Sequence, residues 1–248
     1  VKKLLISCFV FFLSQNVASA ADEWEYSATF YGWFPGVSNT VLTPLGEVEA
    51  EVDFFDILEH LDLGYFGAVE GRKGRWSLIG DLQYLNLGAE AEVPKGLLFS
   101  SVEADTKIVA FTGYGTYALI DNTGYGIDIG GGFRYVKAAL DTQFVGQGAV
   151  SDRSFSSETN WVDGVLAARM TLELGERLTG VAFVDVGGFG IGESSDLTWQ
   201  AAAGMEYQIN ESWSAVGGYR HLAIERSSQD VEFTVNVSGP YLGFRRSF

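Results

Sequence analysis

Cysteine, proline and histidine are nearly missing from this chain, and positive charge is scarce. In 248 residues there is one cysteine, Cys8, with four prolines and two histidines. A lone thiol makes no disulfide framework. Two histidines as distant as His60 and His221 do not make a zinc site, and no metal or other cofactor is expected. Sixteen Lys+Arg stand against 32 Asp+Glu, for a net charge of −16. That balance lacks the clustered cations that displace counterions from nucleic acid, so no nucleic-acid partner is expected. Beyond the first twenty residues there is also no apolar run long enough to cross a bilayer as a helix.

What is present begins with VKKLLISCFVFFLSQNVASA. Lys2 and Lys3 form a charged lead, Leu4 to Leu13 an apolar stretch, and Ala18-Ser19-Ala20 a small-residue cleavage site. Residues 1–20 therefore read as a secretory signal for the Sec pathway, removed after Ala20 together with Cys8. The expected mature chain has 248 − 20 = 228 residues, and its charge is 14 − 32 = −18. Charged residues make up only 19%, aromatics reach 14%, and there are 31 glycines. Few charges, many aromatics and little proline suit strands with one face toward lipid.

Two-residue alternation recurs from Trp24 onward. In residues 125–135, Tyr125, Ile127, Ile129, Gly131, Phe133 and Tyr135 share one face, opposite Asp128 and Arg134. Similar stretches start at Trp24, Trp76, Val162 and Leu197, and all but the one from Val162 carry Trp or Tyr near an end of the apolar face. A soluble sandwich would carry a Lys- and Glu-rich outer face, whereas the polar face here is sparse. Short turns fall at 72–74, 121–124, 175–177 and 210–212, and longer connections at 93–100, 146–155, 190–195 and 227–230. This spacing predicts an all-β fold over residues 21–248, a closed antiparallel up-and-down transmembrane barrel of about ten strands, with eight or twelve as alternatives. Residues 35–61 fit least well. Glu47, Glu49, Glu51 and Asp53 alternate with apolar residues as a short acidic strand, and a short amphipathic helix is expected over 54–61, capped by Asp53.

Alternation directs Glu70, Asp81, Asp128, Asp163, Asp185 and Glu206 inward, together with Arg134, Arg169 and Arg220. Charges confined in a narrow barrel must be paired or wetted. The expected result is a lumen filled by polar side chains; the alternative is a narrow, cation-preferring pore, since acids outnumber arginines. The acidic stretch from Glu47 to Asp62 lacks the spacing of a calcium loop and reads as a solvated face. His221 lies on an outward face near Glu225, Ser227 and Ser228. That is a thin basis for lipid hydrolysis, so no catalytic residue is assigned and a non-enzymatic, structural or surface-interaction role is expected.

Near the end, Val231, Phe233, Val235 and Val237 have odd parity, whereas Leu242, Phe244 and Phe248 have even parity. If both sets are to meet lipid, a β-bulge is expected at Gly239-Pro240. The ending Gly-Pro-Tyr-Leu-Gly-Phe-Arg-Arg-Ser-Phe resembles small outer-membrane barrels of the OmpA-like and OmpW-like kind, as do Trp199 to Tyr207 and Gly218-Tyr219-Arg220-His221-Leu222. The resemblance implies residence in the bacterial outer membrane, contact with its lipids and lipopolysaccharide, and recognition of Leu242, Phe244 and Phe248 by the barrel-assembly machinery. Arg246 departs from that pattern, where an apolar residue is usual.

Overall fold

A computed structural model describes residues 23–43, 46–52, 61–92, 99–146, 151–228 and 231–248. The described strands are β1 (Glu25–Trp33), β2 (Gly36–Thr43), β3 (Gly46–Val52), β4 (Leu61–Lys73), β5 (Trp76–Glu92), β6 (Phe99–Asn122), β7 (Tyr125–Gly146), β8 (Arg153–Glu173), β9 (Leu178–Gly188), β10 (Leu197–Gln208), β11 (Trp213–Ser228) and β12 (Val231–Ser247).

Ten of them, β1 and β4 to β12, form a closed antiparallel barrel in sequence order, completed where β1 pairs with β12. At that seam Phe30 faces Phe244 and Trp33 faces Tyr241. Strands β2 and β3 form a hairpin that continues the sheet beyond β1, with Val37 opposite Val237 and Thr40 opposite Glu49. The expected acidic strand is thus β3, placed in the first long connection. The expected signal, residues 1–20, lies outside the described residues, as do 53–60 of the expected helix. Leu61, where that helix was to end, opens β4, and no helix occurs among the described residues.

The strands have unequal lengths for a physical reason. Crossing a bilayer takes about 9–11 tilted residues, and β9 and β10 have 11 and 12. Strands β6, β7 and β8 have 24, 22 and 21. All are anchored by short turns at one end, so the long strands stand well above β9 and β10 at the other.

The last strand corrects one expectation. Pairing of β12 with β11 runs without a register shift from Trp213–Arg246 to Ser228–Val231, so no bulge interrupts it at Gly239-Pro240. Pro240 sits where its other neighbour changes from β1 to β2, and its carbonyl accepts from Phe34 N at 2.9 Å. Its missing N–H therefore falls at an existing break in the ladder. No flip is needed because the two apolar stripes face opposite ways. Leu242, Phe244 and Phe248 are exposed on the outer wall, whereas Val237 packs inside against Trp33, Val136, Trp161, Leu222 and Ile224. Arg246 keeps its outward place by lying over the rings of Trp213 and Phe248, 5.5 and 4.9 Å from their centroids.

Between β6 and β7 the backbones approach too closely for side chains. A Cβ at Gly132 would stand 1.8 Å from the carbonyl oxygen of Gly113, and one at Gly130 would stand 2.0 Å from that of Gly115. The outward-facing Gly164 has open space. Gly132→Ala is expected to lower the unfolding midpoint in detergent and cut refolding yield, while Gly164→Ala leaves both near wild type. Equal behaviour of the two variants would contradict this register.

Candidate functional site

The inner wall carries one chemically dense region, at mid-height. Its first centre is Arg134 on β7, 1% exposed. The guanidinium donates to both Asp185 oxygens on β9, at 2.9 and 2.7 Å, and to Thr198 Oγ1 on β10 at 2.7 Å. Tyr114 on β6 donates to the same carboxylate at 2.6 Å.

The second centre is Arg220 on β11. It donates to Asp81 Oδ2 on β5 at 2.8 Å, to Tyr31 Oη on β1 at 2.8 Å, and to Gln200 Oε1 on β10 at 2.6 Å. Tyr31 and Gln83 also donate to Asp81, at 2.6 and 3.0 Å. Gln200 in turn donates to Tyr114 at 3.2 Å, joining the two centres. In the strand order, β11 and β5 stand on nearly opposite walls. The network therefore crosses the lumen. Its two arginines balance its two aspartates, and each buried polar side-chain atom in it has at least one hydrogen-bond partner, which is the condition under which buried charge is tolerated.

A second ion cluster lies toward the short-turn end. Arg169 on β8 bridges Asp128 on β7 and Glu70 on β4, both at 2.7 Å. Arg245 on β12 reaches Glu70 at 3.1 Å and Glu206 at 3.5 Å. Between this cluster and the central network is a cavity of about 230 Å³, lined by Ile79, Val181, Phe183, Glu70, Arg169 and Glu206 among others.

Toward the other end the lumen becomes apolar. Trp33, Val136, Trp161, Leu222 and Ile224 are buried together, and the half-buried Tyr31, Phe66, Val237 and Tyr241 pack against them. Arg220 lies 5.1 Å from the Trp33 ring centroid, linking this layer to the charges below. Asp163, fully buried, stands apart from the arginines. It accepts from Ser195 N at 2.7 Å, Ser195 Oγ at 2.9 Å and Trp161 Nε1 at 3.1 Å, so it fastens the β9–β10 connection to the wall.

Of the nine inward charges expected from alternation, eight stand in these ion-paired groups and Asp163 in the strap just described. Alternation left out Arg245, Tyr114 and Ser195. The first two have the parity of their strand's inner face; Ser195 lies in a connection, where parity gives no guidance. It also left out Trp33 and Trp161, although both share parity with polar residues, Tyr31 and Asp163. His221 does not meet Ser227 or Glu225. Its Nδ1 shares a hydrogen bond with Ser238, directly opposite on β12, and its ring lies tilted against Trp199 with centroids 4.5 Å apart. Its Nε2 has no hydrogen-bond partner among the described residues, so no carboxylate orients it there. No cluster of metal-ligating side chains occurs among the described residues.

No family model matches the chain, and no curated protein sequence matches it. Among solved structures, it is similar to the outer membrane protease OmpT from Escherichia coli, with a TM-score of 0.52, 9% identity, and 94% of this chain and 99% of that chain covered. It is also similar to the translocator domain of the autotransporter NalP from Neisseria meningitidis, with a TM-score of 0.54, 11% identity, and 92% and 90% covered. At such identities the likeness is one of fold, that of outer-membrane β-barrels. It nonetheless corrects the non-enzymatic expectation, because a structure this barrel resembles is a protease. The architecture accommodates catalysis, so an inert barrel does not follow from the fold.

Asp185→Ala leaves Arg134 buried and unpaired, and is expected to cost about 3–5 kcal/mol of unfolding free energy in detergent or lipid. The double change Arg134→Met with Asp185→Leu is expected to recover most of it. Urea titration followed by tryptophan fluorescence checks both values, and a single variant within error of wild type would contradict the buried pairing.

Proposed function

We propose that this chain is an integral protein of the bacterial outer membrane whose lumen is held shut by its central arginine network, and that it works through the strands and connections at its long-loop end, exposed on the cell surface. The observation that carries this reading is the cross-lumen tie of Arg220 to Asp81, with Gln200 linking it to Arg134 and Asp185. The orientation follows the general habit of such barrels, with short turns in the periplasm and long connections outside.

On this reading, residues 1–20 direct export and are removed, and residues 21–248 form the barrel. The outward Leu242, Phe244 and Phe248 serve recognition by the assembly machinery, and the aromatic-rimmed outer wall meets lipids and lipopolysaccharide. A narrow cation-preferring channel is a second reading. It is favoured by the acids that outnumber arginines in the lower cluster, where Glu70, Asp128 and Glu206 face Arg169 and Arg245.

Planar-bilayer recording separates the two. The shut lumen predicts silence from the wild-type protein across voltage and pH. Reproducible cation-selective steps would contradict it and favour the channel.

A further inference from the structure

The rim of this barrel has a notch. Strand β8 pairs with β7 up to Arg153–Phe144, without a register shift, but with β9 only as far as Val165–Gly187. Across the gap, β11 pairs with β12 up to Ser228–Val231, but with β10 only as far as Glu225–Leu197. The notch is therefore bounded by β8 and β11, and residues 189–196 form its floor. That floor is held firmly. Ser195 is bound to Asp163 of β8, Asp196 N donates to Glu225 O at 2.9 Å, and Ser227 N donates to the Asp196 carboxylate at 2.6 Å.

The β8 side of the notch is an open sheet edge. The carbonyl of Gly164 lies against Gly187 on β9, and that of Val165 against Gly131 on β7. Strict alternation then turns the N–H and C=O groups of Ser154, Ser156, Glu158 and Asn160 toward the gap. None of these groups has a partner among the described residues, and residues 153–160 are exposed throughout. Such an edge is usually blunted by shortness, proline or a covering element; this one has none of the three among the described residues. The surroundings are acidic: Asp152, Glu158, Glu193, Asp196 and Glu225 are all exposed. Of the three cations, Lys137 is paired with Glu158 at 2.8 Å and Arg226 is engaged by the Trp161 ring at 4.5 Å and by Thr159 at 3.2 Å, so Asp152, Glu193, Asp196 and Glu225 are left facing Arg153 alone.

We propose that the open edge of β8 from Ser154 to Asn160 receives an extended, lysine- or arginine-bearing peptide segment of a partner protein, added as a strand in the notch. Backbone bonds to β8 supply the attachment, and the acidic rim selects cationic side chains. A second copy of this chain fits less well. Two copies upright in one bilayer present their β8 edges in the same vertical sense, whereas a symmetric pair of edges must run antiparallel. The proposal rests on the surface-exposed reading above for the side on which the partner is met.

The test uses the full chain in detergent micelles and a fluorescent peptide of alternating lysine and threonine. The parent peptide should bind. A version N-methylated on alternate amides should bind about tenfold more weakly or worse, the equivalent of one or two net hydrogen bonds. Ser156→Pro removes an N–H that faces the gap, not β7, so it should weaken the parent peptide similarly while leaving gel mobility before and after heating unchanged. Glu193→Gln with Glu225→Gln should weaken binding less. Amide exchange at Ser154, Ser156, Glu158 and Asn160 should slow when peptide is bound. No binding of the parent, equal binding of the N-methylated peptide, or indifference to Ser156→Pro would each overturn the proposal. So would a wild-type dimer that Ser156→Pro dissolves. Thiol labelling of Ser154→Cys on whole cells tests the surface reading separately, since micelle binding does not depend on orientation.

Discussion

Every backbone N–H and C=O at bilayer depth must be satisfied within the protein, because lipid offers no partner. A sheet meets that demand only by closing on itself. Here closure is the β1–β12 seam, where Ser27 to Trp33 pair with Tyr241 to Ser247. The rest depends on it. Closure at ten strands sets a narrow interior, the interior confines the inward charges, and confinement makes those charges pair. Where strands rise beyond the lipid, the demand lapses, and β8 is free to keep an open edge.

The lumen is layered accordingly. At the short-turn end the ion cluster is partly wetted, with Arg245 and Glu206 side chains 30% and 24% exposed. At mid-height, Arg134 and Asp185 are out of water; one guanidinium nitrogen, Nη2, reaches both carboxylate oxygens, and Tyr114 donates to the same carboxylate. Above them the interior turns apolar around Trp33 and Trp161. In the proposed shut lumen, the polar filling and the apolar cap close the same passage by different means. The first fixes distances between walls through directional bonds, and the second excludes water by packing.

Much of this was legible in the residues. Alternation between Tyr125 and Tyr135 assigned both faces of β7, and the short polar turns marked strand ends well enough to count ten. Parity also identified which charges point inward, because it is a local property. What it could not give was which charge meets which. The partnership of Arg220 with Asp81 joins strands 139 residues apart in sequence and depends on closure. The bulge expected at Gly239-Pro240 failed for a related reason. It assumed that apolar residues in a barrel always face lipid, and Val237 shows that the upper interior is itself apolar. The break between β1 and β2 that accommodates Pro240 belongs to a neighbouring strand and leaves no mark within β12.

Amide hydrogen exchange of the protein in a lipid bilayer tests the closed, stepped barrel most directly. Seam amides in β1 and in the Tyr241–Ser247 half of β12 should be protected as strongly as those between β6 and β7, while Ser154, Ser156, Glu158 and Asn160 exchange quickly. Rapid exchange along the β1–β12 seam would mean an open sheet and would contradict the account.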